Sequence, residues 1–312
     1  MPARSLHLGG TVSLGWDNAF EPVLVAAPGD EITVDLVEAS GGQIGPGATI
    51  DAIRSFDISI ANPITGPIFV EGAMPGDALA VTILDIELSD FGWTQQNPGW
   101  GLMPADEFPE PWLNLWDLRS SPAPYRPGIA VPLEPMCGVI GVAPAAPGNH
   151  SVVPPRNVGG NMDIKQHRVG TTVLLPIEVE GALLGLGDGH AAQGDGEVCG
   201  SAIETAMRVT VRLGLRPGLH LDSPHFLVAG AIERPPAAQA GYYATTGVAP
   251  DLMDAARSAI RQMIGHLASE YGLTRRDAYG LCSVAVDLKI SEVVDRPNWI
   301  VSAFLPLDLF QE

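Results

Sequence analysis

Short apolar stretches that follow turn residues recur along the chain. A Pro-Gly-Asp turn at 28–30 precedes the stretch 31–36, a second one at 75–77 precedes 78–86, and a Val-Gly-Thr turn precedes a third stretch at 172–179. Within each stretch, apolar and polar positions alternate with a period near two, which is typical of a half-buried strand. Repetition of this unit predicts a β-sandwich or a β-barrel.

One segment, 250–271, has the periodicity of an amphipathic α-helix instead. Pro250 suits its first turn, and Gly272 predicts its end. A second helix is predicted to begin near Thr274, with Asp277 in the place of the capping-box glutamate. The apolar stripe of the first helix is interpreted as core packing. The remaining predicted strands lie at 207–213, 284–291 and 299–305.

Residues 89–135 differ from both patterns. They hold four of the six tryptophans of the chain, among short Gly- and Pro-rich stretches, and they predict a long loop. A loop of this length in a compact protein often walls a pocket or joins subunits. The alternative is a surface insertion packed by its own aromatic side chains. The sequence alone leaves both open.

Composition narrows the class of protein. Hydrophobic residues make up 46% and charged residues 17%, which excludes a disordered chain. The 36 glycines and 28 prolines favour many short strands and turns over a helix bundle. A net charge of −19 repels phosphate backbones, so we expect no nucleic-acid binding.

The cysteines and the apolar runs bear on location. Cys137, Cys199 and Cys282 are few, odd in number and far apart, which predicts neither a disulfide framework nor a zinc ribbon and suits a reducing cytoplasm. The first residues lack the apolar region of a signal peptide. No apolar run approaches about 18 residues, so we expect a soluble protein with no membrane partner.

Two glycine-rich stretches, 156–165 and 187–200, carry the chemistry. Glycine lets the backbone turn tightly, so that several side chains can converge on one point. If 188–190 is extended, Asp188 and His190 project from one face, and Asp195 and Glu197 repeat that spacing. Carboxylates with an imidazole suit a divalent cation, zinc or manganese before copper. The potential ligands or proton carriers are Asp163, Lys165, Asp188, His190, Asp195 and Glu197.

The histidines divide into two groups. His190 has acidic residues on both sides and is interpreted as a functional residue. The others have no such context and are interpreted as ordinary core or surface residues. They are His7, His150, His167, His220, His225 and His266.

The same stretches resemble the acetamidase/formamidase family. The specific motifs are Gly-Gly-Asn-Met-Asp-Ile-Lys at 159–165 and Gly-Asp-Gly-His-Ala-Ala-Gln-Gly-Asp-Gly-Glu-Val-Cys-Gly at 187–200, followed by Ala-Ile-Glu at 202–204. Weaker likenesses lie upstream, in 62–70 and 73–77. The resemblance extends from about Gly15 to about Ala303 and is least clear in the tryptophan-dense segment.

The resemblance implies a fold and an activity. The fold would be mainly β (α+β), with a β-sandwich-like N-terminal part at 1–150 and a C-terminal α+β part at 151–312 that carries the one long helix and most active-site motifs. The activity would be hydrolysis of formamide, acetamide or close relatives to a carboxylate and ammonia. A divalent metal and a homo-oligomer, a dimer or larger, are also implied. We expect the metal to be zinc, with calcium or manganese as alternatives.

Residue roles follow as hypotheses from what amide hydrolysis requires: an activated water, stabilisation of the oxyanion and a proton for the departing amine. Asp163, Asp188 and His190 would hold the metal, and Glu197 would act as general acid and base. Lys165 or the backbone amides at 159–161 would stabilise the oxyanion. Asp195 or Glu204 remain alternatives for any of these acids. The residues expected to contact substrate are Gly160, Asn161, Gln193 and Cys199.

Two other functions remain open from the sequence. In the first, Cys199 is the nucleophile of an amidase, with Lys165 and a neighbouring acid as partners; a buried, unreactive cysteine is the plainer interpretation. In the second, the chain is a non-catalytic binding protein whose acidic loops hold a structural calcium. His190 disfavours calcium, since imidazole is a poor ligand for so hard an ion.

Overall fold

The structure, a computed structural model, describes residues 4–228, 240–293 and 296–310. In these residues, the strands form two six-stranded sheets, one three-stranded sheet and two hairpins. This confirms the mainly β (α+β) prediction. In chain order the strands are β1 Ser5–Leu8, β2 Val12–Ser13, β3 Leu24–Ala26, β4 Glu31–Leu36, β5 Ile64–Val70, β6 Ala78–Leu88, β7 Phe91–Gln96, β8 Trp112–Asp117, β9 Ala123–Arg126, β10 Ile129–Val131, β11 Met136–Gly141, β12 Gly159–Asn161, β13 Thr171–Pro176, β14 Leu184–His190, β15 Met207–Arg216, β16 His225–Val228, β17 Tyr242–Ala249, β18 Asp287–Glu292 and β19 Trp299–Pro306.

The α-helices of the described residues are few, and the two longer ones lie late in the chain. The described residues form three α-helices, α1 Ile50–Arg54, α2 Leu252–Tyr271 and α3 Arg275–Ala285, and short 3₁₀ turns at Ile58–Ile60 and Leu307–Leu309. Among these residues, no α-helix combines the length and the apolar character that a membrane crossing requires.

The two six-stranded sheets enclose a core. The first has the order β1-β4-β15-β6-β13-β16, and the second runs β12-β11-β14-β5-β2 with β3 also paired to β5. In β4 the side chains of Ile32, Val34 and Leu36 are buried while the intervening ones are half-exposed, which is the alternation that the sequence predicts. Both sheets combine strands from either side of residue 150, so the division expected there does not separate one sheet from the other.

A second core lies between α2, α3 and the sheet β17-β19-β18. The α2 helix begins at Leu252, because the Asp251 side chain accepts a hydrogen bond from the Asp254 amide at 3.0 Å. Pro250 therefore precedes the cap rather than occupying the first turn. Gly272, with φ 65°, ends the helix as predicted. The strand expected at 284–291 starts only at Asp287, since α3 continues through Ala285.

The segment 89–135 is not the long loop that its composition predicts. It contains two hairpins, β7 with β8 and β9 with β10. All of β7 after its first residue is buried, so its two faces do not differ in polarity and the period of two is hidden. The hairpins pack against the second core through Trp116, Tyr125 and neighbouring apolar side chains.

Candidate active site

The end of β14 places Asp188 and His190 together. The His190 Nε2 atom lies 3.2 Å from Asp188 Oδ1, and the His190 side chain is fully buried. Gly189 between them faces the other way, where an added Cβ would lie 2.6 Å from the Thr205 carbonyl oxygen. The Asp188 backbone is left-handed (φ 55°) rather than extended, a conformation that costs a non-glycine residue free energy.

Asp163 approaches the same point from the residues that follow β12. Its amide donates to the Gly138 carbonyl at 3.3 Å, and its backbone is also left-handed, with φ 47°. Gly138 lies beneath both carboxylates: an added Cβ would be 2.6 Å from Asp163 Oδ1 and 3.1 Å from Asp188 Oδ2. The glycine thus leaves the room that two converging acidic side chains need.

Two glutamates complete the cluster. Glu204 Oε2 lies 3.1 Å from His190 Nε2, while Glu204 Oε1 accepts a hydrogen bond from the Ala202 amide at 2.9 Å. Glu197 lies on the glycine-rich loop with a third left-handed backbone (φ 41°). Ligand atoms of Asp163, Asp188 and His190 lie within 4.8 Å of one another, and so do those of His190, Glu197 and Glu204. The two triads share the imidazole.

Several buried polar atoms of this cluster have no hydrogen-bond partner. They are Asp163 Oδ1, Asp188 Oδ1, His190 Nε2 and Glu204 Oε2. The close approaches to Nε2 therefore occur without hydrogen-bond geometry. Buried carboxylates are costly unless they are paired with a cation or protonated. Converging imidazole and carboxylate lone pairs without hydrogen bonds fit a divalent cation.

The cluster also shifts the pKa of its members. Burial raises the pKa of Glu197 and of Glu204 to about 8, and it raises the pKa of Asp163 well above its ordinary value. Burial alone would lower the pKa of His190, but the Glu204 and Asp188 carboxylates outweigh it and raise that pKa. For Asp188, burial is outweighed by His190, so its pKa falls. The site thus favours a positive charge at its centre.

A cavity of about 250 Å³ opens onto these carboxylates. The segment 89–135 supplies one wall, through Trp93, Gln95, Asn97 and Trp100. The Trp100 indole donates to the Gly200 carbonyl at 2.9 Å, which ties this wall to the loop that carries Glu197. The segment therefore forms a wall of the pocket, which was the first of the two alternatives that the sequence left open.

The residues expected to contact substrate have different locations. Asn161 lines the cavity, and Gly160 is buried in β12 beside it. Gln193 lies behind His190, where its Oε1 atom is 2.8 Å from His190 Nδ1. Cys199 is fully buried next to the lining residue Gly200.

Lys165 and Asp195 lie outside the cluster. Lys165 Nζ donates to Asp287 Oδ1 at 2.5 Å, and the same oxygen accepts from the Asp195 amide at 3.1 Å. Lys165, Asp287 and Gln193 line a separate, much smaller cavity. The ammonium group predicted for the oxyanion is therefore committed to an ion pair.

Cys199 lacks the surroundings of a nucleophile. Its thiol lies 3.3 Å from the Gln95 carbonyl oxygen, and burial raises its pKa to about 11. A reactive cysteine needs an accessible, electropositive site that lowers the thiol pKa. This geometry favours the interpretation of a buried structural cysteine.

Some residues of the site have little or no signal in the sequence. Glu204 had only an alternative role, although the Ala-Ile-Glu motif that contains it was noted. Asp287 and Gln95 carried no signal, because their importance comes from contacts with distant parts of the chain. Of the histidines interpreted as ordinary, His167 is fully buried and its ring nitrogens have no hydrogen-bond partner.

The chain is similar to several known proteins. A formamidase from Methylophilus methylotrophus is 27% identical, over 97% of this chain and 90% of its own. A γ-lactamase from Delftia acidovorans has a TM-score of 0.87 at 27% identity, over 96% of this chain and 90% of its own. An acetamidase from Bacillus halodurans has a TM-score of 0.69 at 32% identity, over 96% of this chain and 97% of its own.

The family assignment rests on the whole sequence rather than on one motif. The model of the acetamidase/formamidase family matches residues 11–149 and 146–312. These segments include the cavity wall, both glycine-rich stretches and every acidic residue of the cluster. The chain belongs to the acetamidase/formamidase family of amidohydrolases.

Proposed function

We propose that the protein hydrolyses short aliphatic amides, such as formamide or acetamide, with a divalent cation held by Asp163, Asp188 and His190. The observation that carries this proposal is the set of buried, unpartnered ligand atoms that converge on His190 at the floor of the cavity. The mixed donor set suits zinc foremost and manganese next, and the imidazole disfavours calcium. A bound zinc would lower the pKa of its water to about 7 and polarise the amide carbonyl.

Glu197 is our candidate for proton transfer. It lines the cavity, and one of its carboxylate oxygens lies within 4.8 Å of ligand atoms of His190 and Glu204, so it would be near a water held at the centre. Its carboxylate would accept a proton from that water and pass it to the departing amine, which contributes roughly 10²–10⁴-fold to the rate. Glu204 accepts a hydrogen bond from Ala202 and approaches His190 directly, so we assign it to the support of the centre.

Two amide side chains supply recognition of the substrate nitrogen. Asn161 Nδ2 donates to the Val153 carbonyl at 3.1 Å, so Asn161 Oδ1 remains as an unpartnered acceptor. Gln95 Oε1 is likewise buried and unpartnered, and both residues line the cavity. A primary amide carries two N–H donors and an ester carries none. Sites built around such bonds discriminate strongly against analogues that lack them.

The remaining predicted roles change with the geometry. Because Lys165 is paired with Asp287, we assign that pair to the stability of the fold rather than to the oxyanion. The Cys199 route has no support, since the thiol is buried and its pKa is raised. The non-catalytic calcium protein is set aside, because the family is one of amidohydrolases.

The test is an ammonia-release assay with formamide, acetamide and propionamide. Ethyl acetate is the ester control, and its hydrolysis is followed by the release of acetate. We expect release from at least one amide, loss of activity on chelation, and recovery when zinc is added back. Full activity after exhaustive chelation, with no metal left in the protein, would contradict the proposal that hydrolysis depends on a cation. No ammonia from any of the three amides would contradict the substrate class.

A cyclic amide is the second candidate. The γ-lactamase from Delftia acidovorans has a TM-score of 0.87 with this chain, against 0.69 for the acetamidase from Bacillus halodurans. The assay therefore includes 2-pyrrolidinone, and chromatography measures the opening of its ring. Ring opening faster than ammonia release would favour this candidate.

Location and assembly complete the proposal. All three cysteines are buried and free, which fits a reducing compartment such as the cytoplasm. A homo-oligomer, a dimer or larger, is what family resemblance led us to expect, and light scattering during size-exclusion chromatography measures its mass. A mass of one chain would contradict that expectation.

A further inference from the structure

Gln193 lies behind the imidazole of His190, on the side away from the carboxylates. Its side chain is buried, with Oε1 2.8 Å from His190 Nδ1. Its Nε2 atom donates to the Asp163 backbone carbonyl at 2.7 Å. One amide group thus contacts two residues of the proposed cation site and does not line the main cavity.

The partners of the Gln193 amide fix its orientation. A backbone carbonyl can only accept a hydrogen bond, so the amide nitrogen must face Asp163 and the oxygen must face His190. Because that oxygen is an acceptor, the His190 Nδ1 atom must carry a proton and donate it. A neutral imidazole with its proton on Nδ1 has its lone pair on Nε2. Nε2 is the atom that faces Asp188 and Glu204.

We propose that Gln193 is a positioning residue that holds His190 in the Nδ1–H tautomer and so presents the Nε2 lone pair to the cation site. The same side chain holds the Asp163 backbone, which links two proposed ligands through one amide. This inference rests on the proposed cation-dependent function. It gives Gln193 a role behind the site in place of the expected substrate contact.

The first test compares two buried glutamines. Gln193→Met removes the acceptor at Nδ1 and the donor to Asp163. Gln96→Met makes the same change at a side chain that is equally buried and whose amide atoms have no partner. Zinc affinity is measured by competition with a chromophoric chelator. We expect Gln193→Met to bind zinc roughly 10- to 100-fold more weakly, as is typical when a ligand loses its supporting hydrogen bond. Gln96→Met should match the parent.

The second test needs no variant at Gln193. In zinc-loaded protein labelled with ¹⁵N at histidine, the His190 signals are assigned by their loss in His190→Gln. We expect the proton on Nδ1 and the zinc on Nε2. The opposite arrangement would overturn the inference even if Gln193→Met failed to fold.

The outcomes separate the two proposals. If the parent binds zinc and Gln193→Met binds it equally well, the role of Gln193 is wrong while the cation site stands. If the parent binds no divalent cation, the proposed function fails first and the role of Gln193 fails with it.

Discussion

Two buried clusters of charged side chains lie on opposite sides of Gln193, and they balance their charge differently. On one side, the Asp287 carboxylate is paired with the Lys165 ammonium group at 2.5 Å. On the other side, four carboxylates surround His190, and no lysine or arginine in the described residues forms an ion pair with any of them. The first cluster contains its own cation, whereas the second depends on protons or on a cation from solution.

The two clusters also differ in the conformation of their backbones. Asp163, Asp188 and Glu197 all have left-handed backbones, each of which costs on the order of 1 kcal/mol or more. Lys165 and Asp287 are not among the residues with positive φ. Strain and uncompensated charge thus coincide around His190. Such features are typical of functional sites, and we infer that the Lys165–Asp287 ion pair serves the stability of the fold.

The largest expected effect comes from removing one of the carboxylates around His190. Asp188→Asn should lower ammonia release by about 10³-fold or more, since cation assistance contributes several kcal/mol. With all metal stripped by a chelator, the same variant should melt at a lower temperature than the parent, because His190 loses the carboxylate that it holds in the charged form. Calorimetry measures the melting temperature, and the ammonia assay measures the activity. A higher melting temperature in the stripped state would contradict the pairing of Asp188 with His190.

Glu197→Gln tests proton transfer separately from cation binding. The change keeps the shape of the side chain and removes its basicity, so we expect kcat to fall roughly 10²–10⁴-fold. Metal content and KM should stay near those of the parent. An active Glu197→Gln enzyme would move the role of the base to Glu204.

Breaking the ion pair between Lys165 and Asp287 should affect the stability of the fold rather than the binding of the cation. Asp287→Asn leaves Lys165 buried without its partner, which should lower the free energy of unfolding by about 3 kcal/mol. The double variant Lys165→Met/Asp287→Leu should recover most of that loss, because the unpaired charge is gone. Denaturant unfolding measures the free energy, and elemental analysis should show unchanged metal. Loss of metal in the double variant would mean that the two clusters are not independent.

The smallest effect is expected at Cys199. Cys199→Ala should retain most ammonia release and lower the free energy of unfolding by about 1 kcal/mol, as usual for a small change in a core. Cys282→Ala, at a cysteine that is also fully buried, is the matched control. Abolished activity in Cys199→Ala alone would restore the nucleophile hypothesis.

The elements that the sequence predicts well are those whose signals are local. The α2 helix has its cap at Asp251 and its terminating glycine at Gly272, and β4 alternates along its length. The β7 strand was missed because both of its faces are buried, so no alternation marks it. The mixing of strands across residue 150 is a consequence of long-range pairing, which no local pattern encodes.

The candidate site follows the same rule. Asp163, Asp188, His190 and Glu197 were predicted because glycine-rich motifs concentrate them in two short stretches, and the structure brings them together. Lys165 belongs to the same motif but points to Asp287, which is 122 residues away. A motif shows which residues are near in sequence, while the direction of each side chain depends on packing that the motif does not contain.

The central claim is that the acids around His190 share one divalent cation, and its most direct test is the metal content of the purified protein. Elemental analysis is run on the parent, on Asp188→Asn and on Asp195→Asn, which removes an acidic residue outside the cluster. We expect one equivalent of zinc or manganese per chain in the parent and in Asp195→Asn, and none in Asp188→Asn. A metal-free parent with full amidase activity, or equal metal in all three proteins, would contradict the account.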